Sequence, residues 1–175
     1  MNNNPVRSLC ISAMIAAVYA ALTMALPVLS YGSVQLRFAE ALTVLPFFLP
    51  QAIPGLVLGC AISNSISAFG LVDVVFGTLA TLLAALWTSL VKHRWLAPLP
   101  PVICNMVIIG AEIAWFETGF GPGFGIAMLF NGLSVGLGEL AACYLLGMIL
   151  IYQLPRITAF RKLMSPRRLD ELGLR

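Results

Sequence analysis

The chain has 175 residues, of which 60% are hydrophobic and only 10% are charged, and its formal net charge is +3. Soluble domains carry about 25% charged residues and about 45–50% apolar ones, so this composition excludes an ordinary soluble domain. The apolar residues form long runs, not the alternating segments of about ten residues that a membrane barrel requires. We therefore predict an all-α integral membrane protein.

Six apolar segments predict six transmembrane helices, at about residues 9–29, 41–49, 53–69, 74–91, 102–116 and 124–152. A helix needs about 20 residues to span a bilayer, and the second segment is much shorter than that. It also contains Pro46 and is followed by Pro50. We expect this segment to tilt, to break, or to enter the membrane only part of the way.

The basic residues predict the orientation of the chain. With six spans, both termini share a side with Arg7, the basic loop at 92–94 and the basic tail, whereas the opposite side holds only Arg37. Because cytoplasmic loops are enriched in Lys and Arg, both termini are expected in the cytoplasm. Residues 1–155 then form one six-helix domain. Residues 156–175 form a basic tail whose apolar side chains suit a helix lying on an anionic leaflet.

Polar side chains at membrane depth are candidates for a functional site, because burying them in the bilayer is costly. Counted along the oriented helices, they converge on the outer half, below the loop that carries Gln35, Arg37 and Glu40. The predicted ligand-binding residues are Gln35, Arg37, Glu40, Asn64, Asn105, Glu112, Trp115, Asn131 and Glu139. Trp115 lies one turn beyond Glu112 and offers a plane for stacking. The pattern indicates a pocket that opens outward.

Each of these residues also has a purely structural interpretation. The glutamates can be protonated or hydrogen-bonded to a neighbouring helix, and the asparagines can join helices. Arg37 and Glu40 can form an ordinary surface ion pair. Asp73 is expected to cap the fourth helix and stays outside the set.

Small residues recur along the first segment. Ala13, Ala17 and Ala21 are spaced four residues apart, and so are Ala16 and Ala20. Small residues at this spacing let helices approach closely in lipid. The stripes therefore serve either packing inside the chain or the docking of another membrane subunit.

The sequence lacks the usual motifs for catalysis, ATP hydrolysis and metal binding. No glycine-rich loop precedes a Lys-Ser or Lys-Thr pair. The one histidine, His93, lies between Lys92 and Arg94 at a helix end, and the four cysteines have no metal-ligand spacing and are interpreted as small membrane residues. We expect no enzymatic activity, no cofactor and no metal.

Several stretches resemble the QueT family. They are VQLRFAEALTVLPFF from Val34, AIPGL from Ala52, DVVFGTLATL from Asp73, PPV from Pro100 followed by Asn105, GAE ending at Glu112, and SVGLGE ending at Glu139. These stretches cover, in order, roughly residues 8–152, and the basic tail lies outside them.

The resemblance implies the substrate-binding (S) component of an energy-coupling-factor transporter in a prokaryotic plasma membrane. Such a component has six helices, both termini inside, and a ligand site near the outer face that the first outer loop caps. Its partners are a transmembrane coupling subunit and two ATPases, whose ATP hydrolysis tilts the S component to carry its ligand inward. The family's docking motif falls on Ala13 and Ala17.

The resemblance also implies the ligand, a queuosine precursor with a 7-deazaguanine base. The edge of such a base offers two N–H donors, which a carboxylate such as Glu112 or Glu139 can accept together. Two other functions stay open. One is an intramembrane enzyme with Glu112 and Glu139 as acid and base. The other is a carrier for another vitamin-like or purine-like solute, either as an S component or as a stand-alone proton-coupled protein.

Overall fold

The computed structural model describes residues 5–25, 37–67, 69–164 and 166–173, and every regular element in these ranges is helical. Four helical stretches in this part of the chain are long and apolar enough to cross a membrane. They contain α1 (Pro5–Ala25), α3 (Leu71–Leu90), α4 (Leu99–Thr118) and α5 (Phe124–Leu140). The predicted all-α, multi-pass architecture is supported. The count of six spans and the cytoplasmic termini stay predictions.

The second predicted segment forms a 3-10 helix at Phe38–Phe47, followed by a short turn at Pro50–Ala52 and by α2 (Ile53–Asn64). A 3-10 helix of ten residues is unusual, since runs longer than three or four residues are uncommon. Pro46 lacks a backbone N–H and so disfavours an ordinary α-helix here. The predicted irregularity of this segment is confirmed. The third segment is shorter than predicted, because its helix ends at residue 64.

The 3-10 helix lies in the centre of the bundle. It contacts α1, α2, α3 and the last membrane segment, and eight of its ten residues are buried. A helix that is apolar on most sides is suited to such a surrounded position. The main core of the described residues is built around it and includes Tyr19, Val44, Phe47, Phe48, Leu56 and Ile151.

The last membrane segment changes its winding along its length. α5 continues into a π-helical stretch at Ala141–Gly147 and then into α6 (Met148–Gln153). Stretches of π-helix are rare and often occur at functional sites. This one packs on the 3-10 helix so closely that a β-carbon at Gly147 would lie 2.9 Å from Cγ1 of Val44. The two irregular helices therefore fit directly against each other.

Glycines make the closest contacts between regular helices. In α2, a β-carbon at Gly59 would lie 2.8 Å from Cβ of Tyr19 and 2.9 Å from the Ala16 carbonyl oxygen. In α4, a β-carbon at Gly110 would lie 2.6 Å from Cα of Gly132 in α5. Both crossings therefore require glycine, as is common where helices approach closely in a membrane.

The two alanine stripes of α1 face different directions. Ala16 and Ala20 are buried against the bundle, whereas Ala13, Ala17 and Ala21 are exposed. The buried pair thus serves packing inside the chain. The exposed stripe is accessible to a partner, so the two interpretations of the sequence pattern apply to different stripes.

The C-terminal residues fold back onto the ends of the bundle helices. They form α7 (Thr158–Arg161) and α8 (Pro166–Glu171). The ring of Phe160 packs edge-on against Phe48, with centroids 5.7 Å apart, and Met164 is buried. The expectation that the apolar side chains of the tail lie on a lipid leaflet is wrong for Phe160 and Met164, which pack on protein, whereas Ile157 is 51% exposed. The domain boundary at residue 155 stays a prediction.

Candidate ligand-binding site

Arg37 lies at the start of the 3-10 helix and is only 4% exposed. Its Nη1 donates a hydrogen bond to Oδ1 of Asn64 at 3.2 Å, and its Nη2 lies 3.8 Å from Oδ2 of Asp73. Nδ2 of Asn64 in turn donates to the backbone oxygen of Asp73 at 3.1 Å. These three residues, here called the arginine cluster, join the 3-10 helix to the end of α2 and the start of α3.

Asp73 has a different role from the helix cap that the sequence suggested. The residue before α3 is Gly70, and no side chain caps this helix end. Asp73 is buried in the first turn and pairs with Arg37. A buried arginine needs a counter-charge, and Asp73 supplies it. The interpretation of Arg37 and Glu40 as a surface ion pair is also wrong, because both residues are buried.

Glu40 pairs with a tyrosine of α1. Its Oε1 accepts a hydrogen bond from the Tyr19 hydroxyl, and both residues are fully buried. Its Oε2 is also buried and has no hydrogen-bond partner among the described residues. Sequence reasoning missed Tyr19, because an aromatic residue among the alanines of a membrane helix is typical of ordinary core packing.

A second buried carboxylate, Glu139, is connected to Glu40 through Cys143. The Cys143 thiol lies 3.6 Å from Oε2 of Glu139 and 3.5 Å from the backbone oxygen of Glu40. The buried side chain of Asn105 lies close to Glu139. The structure thus brings Glu40, Asn105 and Glu139 together at the start of the π-helical stretch. Cys143, interpreted from sequence as a small membrane residue, links them.

Glu112 of α4 differs from the other buried carboxylates because it borders a cavity. Both of its carboxylate oxygens are buried, and neither has a hydrogen-bond partner among the described residues. The residue is 6% exposed and lies near enough to Asp73 and Arg37 to experience their charges. Glu112 is therefore an acceptor with two unused oxygens beside the arginine cluster.

The cavity beside Glu112 has a volume of about 570 Å³ and lies between α3 and α4. Its other lining residues are all apolar or aromatic: Val72, Phe76, Leu79, Val107, Ile108, Ala111, Trp115, Phe120 and Phe124. Trp115 is 40% exposed and shares the cavity with Glu112, as the helical spacing predicted. One acidic group on an aromatic wall suits a flat ligand that has N–H donors along one edge.

The remaining predicted residues do not join these groups. Nδ2 of Asn131 donates a hydrogen bond to Oε2 of Glu117 at 2.7 Å, on the exposed rim of the bundle. Gln35 lies outside the described residues. The described part of the chain contains no group of three or more His, Cys, Asp or Glu side chains placed to hold a metal ion.

Comparison with known proteins gives the family. A curated relative, the "Queuosine precursor transporter QueT" of Lactococcus lactis subsp. cremoris (strain MG1363), is 44% identical over 72 residues. This match covers 40% of the present chain and 42% of the relative, less than half of either protein. No solved structure matches significantly. The model of the QueT transporter family, however, matches residues 9–156, and the chain therefore belongs to that family.

Proposed function

We propose that this protein binds a queuosine precursor near the outer face of a prokaryotic plasma membrane and carries it inward. It does so as the S component of an energy-coupling-factor transporter. The observation that carries the proposal is Glu112, whose two buried oxygens are unpaired among the described residues and border a cavity of about 570 Å³. Membership of the QueT transporter family and the name of the relative support the choice of ligand.

The chemistry of Glu112 matches the edge of a 7-deazaguanine base. That edge presents the N1 and 2-amino N–H groups side by side, and one carboxylate accepts both in bidentate fashion. Each charge-assisted hydrogen bond contributes about 1.5–3 kcal/mol. Ligand pockets commonly measure about 300–1,000 Å³, so the cavity is large enough for a bicyclic base. Trp115, with Phe76 across the cavity, offers aromatic faces for stacking.

The arginine cluster supports the α3 wall of the pocket from behind. Arg37 is already bonded to Asn64 and paired with Asp73, which leaves it poorly placed to read a ligand directly. Asp73 sits on α3 between two residues that line the cavity, Val72 and Phe76. By fixing Asp73, the cluster fixes the α3 side of the pocket relative to Glu112.

The exposed stripe of α1 supports a partner surface. Ala13 and Ala17 face away from the bundle, whereas the neighbouring Ala16 is buried. A small-residue stripe lets a second helix approach closely in lipid. We assign this stripe to the transmembrane coupling subunit. Two separate ATPase subunits supply the ATP hydrolysis, and both termini lie on their cytoplasmic side.

Calorimetric titration of the purified protein with 7-deazaguanine tests the proposal. Wild-type protein is expected to bind one molecule per chain, and Glu112→Gln to weaken binding at least tenfold, because an amide cannot accept both N–H groups. Glu117→Gln is the matched control, since Glu117 lies further along α4 and bonds Asn131 at the rim. Unchanged affinity in Glu112→Gln would overturn the site assignment. Absence of binding by the wild type would overturn the ligand.

A stand-alone proton-coupled carrier is the second candidate. The observation that favours it is a pair of buried carboxylates, Glu40 and Glu139, with the Cys143 thiol between the Glu139 carboxylate and the Glu40 backbone oxygen. Intramembrane carboxylates of this kind serve as proton relays in transporters. Uptake that persists in cells without the ATPase subunits, and that stops when the proton gradient is dissipated, would select this mechanism.

A further inference from the structure

The C-terminal residues hold the inner end of the 3-10 helix through one side chain. These residues, 157–164 and 166–173, are here called the C-terminal strap. Nε of Arg168 donates to the Phe47 backbone oxygen at 2.6 Å, and its Nη2 donates to the Val91 backbone oxygen at 2.9 Å. Phe47 ends the 3-10 helix, and Val91 follows the end of α3. One guanidinium therefore satisfies carbonyl groups at two helix ends, which otherwise lack partners.

Other features make Arg168 a specific anchor. Its guanidinium carbon lies 4.3 Å from the centroid of the Phe47 ring, and its Nη1 lies 2.9 Å from Oε2 of Glu171. A planar guanidinium can stack and donate in several fixed directions, which lysine cannot do. A positive charge is also favourable beside the negative ends of helix dipoles.

The rest of the strap is bound by side chains from separate parts of the bundle. Arg7 of α1 donates to the Lys162 backbone oxygen at 3.1 Å, and Arg94 donates to that of Leu172 at 3.1 Å. The side chain of Gln51 donates to the Leu163 oxygen at 3.4 Å. The strap is thus a bound element of the fold, although the family model ends at residue 156.

The 3-10 helix links the strap to the pocket. At its other end, Arg37 pairs with Asp73, which neighbours the cavity wall. A 3-10 helix rises about 2.0 Å per residue and an α-helix about 1.5 Å. Conversion of the ten residues from a 3-10 helix to an α-helix would therefore shorten the element by about 5 Å. Arginines bind at both ends of the element, Arg37 at its start and Arg168 at Phe47. Release of one end therefore permits movement at the other.

We propose that Arg168 is a positioning residue: it holds the 3-10 helix extended and thereby sets ligand affinity at the opposite end. Because coupling between two sites is reciprocal, ligand binding must also tighten the strap. The strap then presents a different inner surface in the loaded and the empty protein. This inference rests on the proposed function for the identity of its ligand. It goes beyond that function because it names how occupancy of the ligand site is transmitted to the C-terminal strap.

Hydrogen–deuterium exchange and calorimetry on the full chain in nanodiscs, with 7-deazaguanine as the probe, test the proposal. In wild-type protein, ligand is expected to slow exchange at 158–164 and 166–173. Arg168→Ala is expected to speed exchange at 38–47 and at 71–77 and to weaken binding at least fivefold, within the usual range of coupling. Arg156→Ala is the matched control, because Arg156 is exposed. Arg168→Lys keeps the charge but loses the planar guanidinium. Its exchange rates and affinity are expected to lie between those of wild type and Arg168→Ala.

The outcomes separate this inference from the proposed function. If wild-type protein binds the base but ligand leaves exchange in the strap unchanged, or Arg168→Ala binds as tightly as Arg156→Ala, the positioning role is overturned. If wild-type protein does not bind the base, the proposed ligand fails. Hydrogen exchange then still tests whether Arg168 holds the 3-10 helix. Faster exchange at 38–47 and 71–77 in Arg168→Ala supports this role, and unchanged exchange overturns it. If Arg168→Ala does not fold, Arg168→Lys is judged by the same measurements.

Discussion

Arg37 and Glu112 are both charged residues buried in an apolar bundle, and they lie near each other, yet their surroundings are opposite. Arg37 is bonded to Asn64 and paired with Asp73. Glu112 has two buried oxygens without a hydrogen-bond partner among the described residues, and it faces a cavity. A buried charge with partners holds elements together, whereas one without partners pays a desolvation cost that a ligand can recover. The contrast separates the framework of the site from the group that we propose as the ligand acceptor.

The largest expected effect is on the framework. Arg37→Ala leaves the Asp73 carboxylate buried without its counter-charge, which should lower the free energy of unfolding by about 3–5 kcal/mol. Denaturant unfolding in detergent measures the change. The double variant with Asp73→Ala should recover much of the loss, because both charges are then removed. If Arg37→Ala alone is as stable as wild type, Arg37 is not a framework residue.

The next effect concerns Tyr19. Tyr19→Phe removes the hydroxyl that donates a hydrogen bond to Oε1 of Glu40. The Glu40 carboxylate then stays buried without this donor. We expect a loss of about 1–3 kcal/mol in the free energy of unfolding, with little change in ligand affinity. The same unfolding and titration measurements apply. Since the ring is kept, a strong loss of ligand binding at wild-type stability would instead assign Tyr19 to the ligand site.

A smaller effect of opposite sign is expected at Glu112. Glu112→Met removes an unsatisfied buried carboxylate, so it should raise the free energy of unfolding by about 1 kcal/mol while ligand binding is lost. The midpoint of denaturant unfolding tests the change in stability, and a calorimetric titration tests the loss of ligand binding. Destabilisation by this substitution would mean that Glu112 belongs to the framework, and the contrast with Arg37 would disappear.

The smallest effect on the isolated protein is expected at the exposed alanine stripe. Ala17→Trp should leave stability and ligand affinity unchanged but prevent copurification with the proposed coupling subunit. Ala16→Trp is the matched comparison, because Ala16 is buried against Gly59 of α2 and a large side chain there should disrupt folding. Intact assembly and uptake with Ala17→Trp would exclude this stripe as the docking surface.

Much of the fold could be predicted from the sequence, because helix length and apolar runs are local properties. The irregular second segment followed from its shortness and from Pro46. Pairings between segments could not be predicted. Arg37 pairs with Asp73, 36 positions away, and spacing within one segment carries no information about that contact. The apolar residues of the tail were visible as well, but lipid and protein are equally good partners for Phe160 and Met164.

The candidate site was predictable to a similar extent. The cost of burying charge pointed to Glu112 and Glu139, and helical spacing placed Trp115 beside Glu112. The sequence could not show which carboxylate keeps unused oxygens. That depends on neighbours such as Tyr19 and Cys143, whose own sequence context is that of ordinary membrane residues.

The contact between Gly110 and Gly132 has a consequence for size selectivity. Because α4 and α5 approach through backbone at this point, with no space for a β-carbon at Gly110, we expect them to move together. The opposite wall of the cavity is α3, which begins after Gly70 with a φ of +61°, a conformation that glycine adopts readily. Widening of the cavity by helix movement is therefore expected from α3. Adaptation to a larger solute is expected through shorter side chains at Val72, Phe76 and Leu79, with the α4–α5 pair left unchanged.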